Sequence, residues 1–238
     1  MEKRRHIALT KYAFEKISNI YDRLRRKPWL PILKIAEAAY RPPLLDAGCG
    51  TGRHTIPLLK KGDIIAVDIA FNMVKILNTK TRNKNLHAVV ADLSHLPFRD
   101  NSIGTVICIA TLHHLPGRYR LKALKEFKRV LKPRGIAVIT VWSILQRGFI
   151  FRALKQYVLS KLRCIKTPLS FGDLYVKWKT PQGPVYRFYH LYFPGELERE
   201  VREAGFQVKS SFIYNPHRKL FENFGVIVVK NDEARAGR

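Results

Sequence analysis

Acidic residues are scarce. The 238-residue chain holds 18 Asp and Glu against 44 Lys and Arg, a formal net charge of +26. Solubility does not require so large an imbalance. It points to a polyanionic partner, nucleic acid first and an anionic membrane surface second, with an evenly basic exterior as the plainer alternative. Cysteine is scarce as well: Cys49, Cys108 and Cys164 are odd in number and widely separated. They form neither a disulfide framework nor a zinc-ligand cluster, which argues against a metal site and for a reducing, cytoplasmic setting. No apolar stretch approaches the roughly 20 residues that a membrane span needs. Met1 to Arg5 is charged and leads into no short apolar core, which speaks against a secretory leader. There is no internal repeat and no low-complexity tract.

What the chain does have is Leu44-Leu45-Asp46-Ala47-Gly48-Cys49-Gly50-Thr51-Gly52. An apolar run closes on an acid, and glycines at alternate positions lead into the helical spacing of Ile56, Leu58 and Leu59. That order predicts a strand, a tight loop and a helix. A dinucleotide fingerprint is spaced G-x-G-x-x-G and seats a pyrophosphate on the helix N-terminus. Here the spacing is G-x-G-x-G, and Asp46 would repel a diphosphate. Asp46 with Gly48, Gly50 and Gly52 instead suits a ligand carrying a cation and a ribose but no phosphate. S-adenosyl-L-methionine fits that description.

Downstream, strands are expected at Asp63 to Val67, Leu86 to Ala91, Gly104 to Ala110, Ile136 to Trp142, Gln207 to Tyr214 and Gly225 to Val229. Helices are expected at Arg118 to Leu131 and Glu196 to Ala204. This alternation predicts an α/β fold with a doubly wound, mostly parallel seven-stranded sheet. The acidic Asp68 falls about twenty residues beyond the glycines, where a ribose-binding carboxylate belongs, with a helix-capping acid as the alternative. Asp92 with Leu93 ends the third strand and flanks an expected adenine site. Thr111 to His114 ends the fourth. Residues 1–41 carry eleven Lys/Arg against four acids and show helical apolar spacing at Phe14, Ile17, Ile20 and Leu24. They read as a helical lid over the cofactor, with Tyr21, Arg25 and Trp29 placed to close it, or as surface helices packed on the domain.

Residues 145–192 interrupt the rhythm. From Leu145 to His190 there are nine Lys/Arg and one acid, Asp173, interleaved with aromatics. A helix at about Phe149 to Leu162 and irregular chain around Thr167-Pro168 and Thr180 to Pro184 are expected. Mixed basic and aromatic residues suit phosphate contact and base stacking, although aromatics beneath an insertion also serve as core. Methyl transfer from a sulfonium is an in-line displacement, so positioning dominates. His113, His114, Asp173, Arg187, Tyr189 and His190 are candidates for that task. Arg187 beside Tyr189 and His190 suits a substrate carboxylate through two parallel hydrogen bonds, or a phosphate. The expected layout is one domain over residues 1–230 and a flexible tail at 231–238.

The Asp46 to Gly52 stretch resembles the first motif of class I methyltransferases. Three other stretches resemble the methyltransferases that finish wobble-uridine modification in tRNA: Arg25 to Trp29, Ile109 to Leu115, and Asp173 to Trp178 with Tyr186 to Tyr192. That resemblance runs from about Tyr12 to Val229. It implies esterification of the carboxylate of 5-carboxymethyluridine, S-adenosyl-L-methionine as cofactor and tRNA as substrate, in a stand-alone form. It further implies that the Arg187 to His190 region, with Tyr189, lies at the wobble base with Arg25 nearby. Phe188 stands where a second Tyr is the family pattern. The resemblance also implies a small zinc-binding activator subunit pairing with the third strand at the sheet edge. A small-molecule or quinone methyltransferase and a non-catalytic RNA-binding or scaffold protein on the same fold are the alternatives.

Overall fold

The computed structural model describes residues 2–146, 148–162, 164, 169–215 and 223–231. The stretch around Thr167-Pro168 and all of the tail beyond Asn231 lie outside the described residues.

The parallel strands are mostly apolar, as expected where helices cover a sheet on both faces. They are β1 (Leu44–Ala47), β2 (Ile64–Asp68), β3 (Leu86–Val90), β4 (Ile103–Ile109) and β5 (Leu131–Trp142), all parallel where they pair. Two later strands, β8 (Phe206–Tyr214) and β9 (Asn223–Lys230), add antiparallel pairs, and the full order is β3-β2-β1-β4-β5-β9-β8. Every residue of β1 and β4 is buried, whereas β3 at the edge is only partly covered. The pairing of β4 with β5 jumps from Ile103↔Leu131 to Thr105↔Ile136, so Lys132 to Gly135 loop out, with Arg134 at φ 60°.

Helices cover both faces. The helices α5 (Gly117–Val130) and α7 (Glu196–Glu203) bury Tyr119, Leu124, Phe127, Leu197 and Val201 against Leu45, Val106, Ala137 and Val226. On the opposite face α2 (Leu30–Ala38) and the short α3 (Thr55–Leu58) pack Ile32, Leu33, Ala36 and Leu58 against Leu44, Ile64, Ile107 and Val138. The chain winds outward from β1 to β3 and returns to β4 on the other side of β1. That reversal opens a crevice beyond the carboxyl ends of β1 and β4, where such sheets hold their ligands.

Two regions differ from the sequence expectation. The first helix, α1, spans Glu2–Leu24, well before Phe14, and packs on α4 (Phe71–Lys80) and on the insertion. Its Glu15 accepts hydrogen bonds from the amides of Phe71 and Asn72 at 2.7 and 2.8 Å, so one helix caps the next. The insertion contains a β-hairpin to which the sequence reading assigns no strands, and the irregular chain expected at Thr180 to Pro184 falls at its turn. Strands β6 (Asp173–Thr180) and β7 (Gly183–His190) pair from Asp173↔His190 to Thr180↔Gly183. Helix α6 (Phe149–Lys161) covers β6 through Gln156, whose side chain bonds both backbone groups of Tyr175 at 2.8 and 3.1 Å.

Candidate functional site

Beyond the ends of β1, β2 and β4 lies a cavity whose wall is shared by the sheet, the glycine loop, α1 and the hairpin. Asp46, Gly48, Gly50, Asp68, Asp92, Leu93 and Thr111 line its floor. Gly48 has φ +84°, and a Cβ there would lie 2.1 Å from the methyl of Thr111. The Thr111 hydroxyl lies 3.2 Å from the Gly48 carbonyl, which ties the loop to the end of β4. Gly52, also at φ +84°, does not line the cavity: its missing Cβ makes room for Leu77 of α4. Its part is the shape of the loop.

The floor is acidic. Thr55 donates to Asp46 Oδ2 at 2.6 Å, and Asp68 accepts the amides of Gly50 at 3.0 Å and Ala70 at 2.9 Å. Burial pushes both carboxyls up to about 6, against the pull of those donors. Neither has an ion-pair partner among the described residues. Asp92 Oδ1 takes the amide and hydroxyl of Ser94 at 2.8 and 2.9 Å, and the residue lines the cavity.

The roof is aromatic and cationic. Tyr21 and Arg25 come from the end of α1, and Trp29 from the turn before α2. Arg53 lies 4.5 Å above the Trp29 ring, and the Trp29 amide donates to His54 Nε2 at 3.2 Å. From β7 come Arg187 and Tyr189. The Arg187 guanidinium stands 4.6 Å from the Trp178 ring centroid, 5.2 Å from Tyr189 and 5.8 Å from Phe14. It is 6% exposed, its Nε has no hydrogen-bond partner, and no carboxylate pairs with it among the described residues. Burial raises the Tyr189 hydroxyl above its ordinary range, while Arg187 and Arg25 pull the other way.

Both histidines that follow β4 line the cavity as neutral rings. His114 Nδ1 lies 3.1 Å from the Phe188 carbonyl and carries the proton that bonds it; burial, then Arg187, bring the ring down to about 3. His113 is held well below its usual value by burial and by His114, and its Nδ1 faces the Trp142 amide at 3.4 Å. His190 is a correction. It does not line the cavity, because both of its nitrogens are engaged by buried carboxylates on the far side of β7. Arg53, His54 and Trp142 are wall residues that sequence reasoning missed. Arg53 and His54 directly follow the glycines, and Trp142 ends β5, so the strand-end rule applied to four strands also reached the fifth.

Residues 45–139 match the family described as a methyltransferase domain. The chain is 33% identical over 208 residues to the demethylmenaquinone methyltransferase of Staphylococcus aureus, covering 81% of this chain and 83% of that one. The chain belongs to the class I S-adenosylmethionine-dependent methyltransferases. It is also 39% identical over 143 residues to the tRNA (carboxymethyluridine(34)-5-O)-methyltransferase of Arabidopsis thaliana, over 60% of this chain but 31% of that one. The match to the Staphylococcus carnosus demethylmenaquinone methyltransferase likewise spans about half of that relative, 54%. Among solved structures, a chain from the complex between the Haloferax volcanii Trm112 methyltransferase activator and a methyltransferase superposes with a TM-score of 0.66 at 16% identity, covering 93% and 97% of the two chains.

The cofactor of this methyltransferase family, S-adenosylmethionine, matches the donor set of the cavity. Two ionisable acids held in the floor without an ion-pair partner among the described residues favour a cationic ligand, and the loop without phosphate-facing spacing favours one lacking phosphate. Among the described residues no group of three or more His, Cys, Asp and Glu could hold a metal, and no helix is long and apolar enough to cross a membrane.

Proposed function

We propose that this methyltransferase esterifies a carboxylate, that of 5-carboxymethyluridine at the tRNA wobble position. One observation carries the reading: Arg187, a buried guanidinium without an acidic partner, faces the same cavity as the cofactor floor. A cation so placed lacks its anion, and a planar carboxylate is the shape it binds through two parallel hydrogen bonds. Aromatic faces of Trp178, Tyr189 and Phe14 hold it in one orientation.

In this reading Asp46 faces the cationic end of the cofactor, Asp68 accepts its ribose hydroxyls, and Asp92 with Leu93 flanks its adenine. Gly48, Gly50 and Thr111 admit it to the backbone, and Tyr21 closes over it. When bound, S-adenosylmethionine supplies an electrophilic methyl group. The protein's work is then to aim a carboxylate oxygen at that methyl and exclude water. A carboxylate has no proton to remove, which agrees with neutral His113 and His114: they need shape the wall and accept no proton. Tyr189 and Arg25 complete the substrate side. Residues 1–41 act as the lid and 145–192 as the substrate-binding insertion of a single domain, residues 1–230.

The bare edge at β3, with Val90 43% exposed, supports a partner there, a small zinc-binding activator like the activator in the Haloferax complex. A demethylmenaquinone activity is the second reading, favoured by the longer alignment to that relative. Its substrate carries no carboxylate and leaves Arg187 without an anion. The deciding test is transfer of [methyl-³H] from the cofactor, with and without an activator subunit, to tRNA bearing 5-carboxymethyluridine and, in parallel, to a demethylmenaquinol. Label in a base-labile ester on the tRNA supports the proposal, and label only on the quinol ends it.

A further inference from the structure

His190 is the last residue of β7, three positions beyond Arg187, and it is buried in an ionic cluster behind the cavity. Its Nδ1 lies 2.7 Å from Asp173 Oδ1 and its Nε2 lies 2.8 Å from Glu196 Oε1. A neutral imidazole has one N–H and satisfies one such neighbour. Only the protonated ring donates to both.

Each carboxylate is itself held in place. Asp173 Oδ2 accepts the Ser170 amide at 2.9 Å, and Glu196 Oε2 accepts the Phe193 amide at 3.0 Å. Arg120 of α5 stands 3.6 Å from Glu196 and grips Glu200 through Nε and Nη2 at 2.9 and 2.7 Å. Tyr192 donates to Glu200 at 2.8 Å, and its backbone bonds Trp142 and Ile144 at the end of β5. The cluster thus joins the base of the hairpin to α5, α7 and β5, elements that belong to the main domain. Among the described residues the hairpin shares no ladder with the seven-stranded sheet, so the single backbone bridge of Tyr192 to Ser143 and these side-chain contacts set its angle.

We infer that His190 is a positioning residue: clasped between Asp173 and Glu196, it fixes the end of β7 so that Arg187 and Tyr189 face the cavity. That Arg187 then receives a carboxylate rests on the function proposed above; the clasp itself does not. The charged groups facing the ring are Asp173 from β6, Glu196 from α7 and Arg120 from α5, with neutral His113 and Tyr192 beside it. Burial opposes the imidazolium, and the two carboxylates outweigh it, so the His190 pKa is raised. A raised pKa means the clasp is complete at and below the ordinary histidine value and opens as pH rises through the raised one. Catalysis therefore falls on the alkaline side when His190 loses its proton.

The test uses D173N, E196Q and two single-arm variants of His190. His190→Asn keeps an N–H near the Nδ1 position, toward Asp173, and His190→Gln keeps one near Nε2, toward Glu196. Amide hydrogen exchange is expected to quicken about tenfold at residues 185–189 in D173N and H190Q, while β1 and β4 keep their protection. Calorimetric affinity for S-adenosylmethionine stays within about twofold, and KM for tRNA rises about tenfold. The alkaline fall in activity disappears in H190N and H190Q. Unchanged exchange in β7, or equal loss of protection in β1 and β4, overturns the positioning role. If the native protein modifies no tRNA, the carboxylate reading fails, and the exchange and cofactor measurements still decide the clasp.

Discussion

At the residue scale, the chemistry rests on charges that the fold leaves unpaired. Arg187 is one, and its removal separates substrate recognition from cofactor binding. Arg187→Ala is expected to reduce methyl transfer at least about a hundredfold, since truncating one side of a buried charge pair typically costs several kcal/mol. Cofactor affinity by calorimetry is expected to hold, because Asp46 and Asp68 are untouched. Arg187→Lys restores little, as a point charge cannot reproduce a two-pronged contact. The floor acids give a second prediction. Burial raises Asp46 and Asp68 to about 6, so the folded apoprotein is favoured while they are protonated, and that advantage is lost as pH rises through 6. A cationic ligand needs them ionised. Affinity for S-adenosylmethionine is therefore expected to fall by about tenfold or more between pH 7 and pH 5, read by calorimetry, with proton release on binding at the lower pH. A flat profile would mean that neither carboxylate meets the cation.

At the element scale, α1 decides whether the cavity has a roof. It meets the sheet domain through Glu15, which caps α4, and through Asp22, which pairs with Lys80. It meets the hairpin through Thr10, whose hydroxyl accepts the Phe188 amide at 3.2 Å, and through His6, 2.9 Å from the Tyr175 hydroxyl. Glu15→Ala removes a cap worth about 1 kcal/mol and loosens the helix that carries Tyr21. A lower Tm with a several-fold weaker cofactor affinity is expected, and an unchanged affinity would detach α1 from the cofactor site. This element also shows where sequence reading stopped. Buried parallel strands declare themselves as apolar runs, and the acids at the ends of β1, β2 and β3 fall at the crevice by topology alone. The hairpin did not declare itself. In Asp173 to Thr180 the apolar Leu174, Val176 and Trp178 alternate with Tyr175, Lys177 and Lys179, a strand period masked because the same mixture of lysine and aromatics also reads as a nucleic-acid surface. The position of His190 was hidden for a related reason: sequence places it beside Arg187 and Tyr189, but only the pairing Asp173↔His190 shows what holds it behind the wall.

At the scale of the whole molecule, the dominant fact is charge. A net +26 over 238 residues, with basic residues dense in the lid and the insertion, surrounds a cavity whose floor is acidic. In the proposed function the two signs serve different ligands: the interior acids suit a compact cation, and the exterior suits a long polyanion that delivers one nucleotide to Arg187. Binding to such a polymer releases counterions in proportion to the phosphates neutralised. Contacts to roughly six phosphates give a slope of log K against log[salt] of about −4 to −5, so tRNA affinity is expected to drop by more than about a hundredfold between 50 and 200 mM salt. Cofactor affinity, set in a cavity shielded from the bulk ions, is expected to change little over the same range. Methylation of a neutral quinol should be equally indifferent to salt. Filter binding of tRNA and turnover of both substrates across one salt series therefore discriminate the two readings at once. Steep loss of tRNA binding together with tRNA turnover, beside a flat cofactor isotherm, marks the basic exterior as the surface that presents the substrate. A shallow slope would leave the charge as an evenly basic exterior with no part in catalysis.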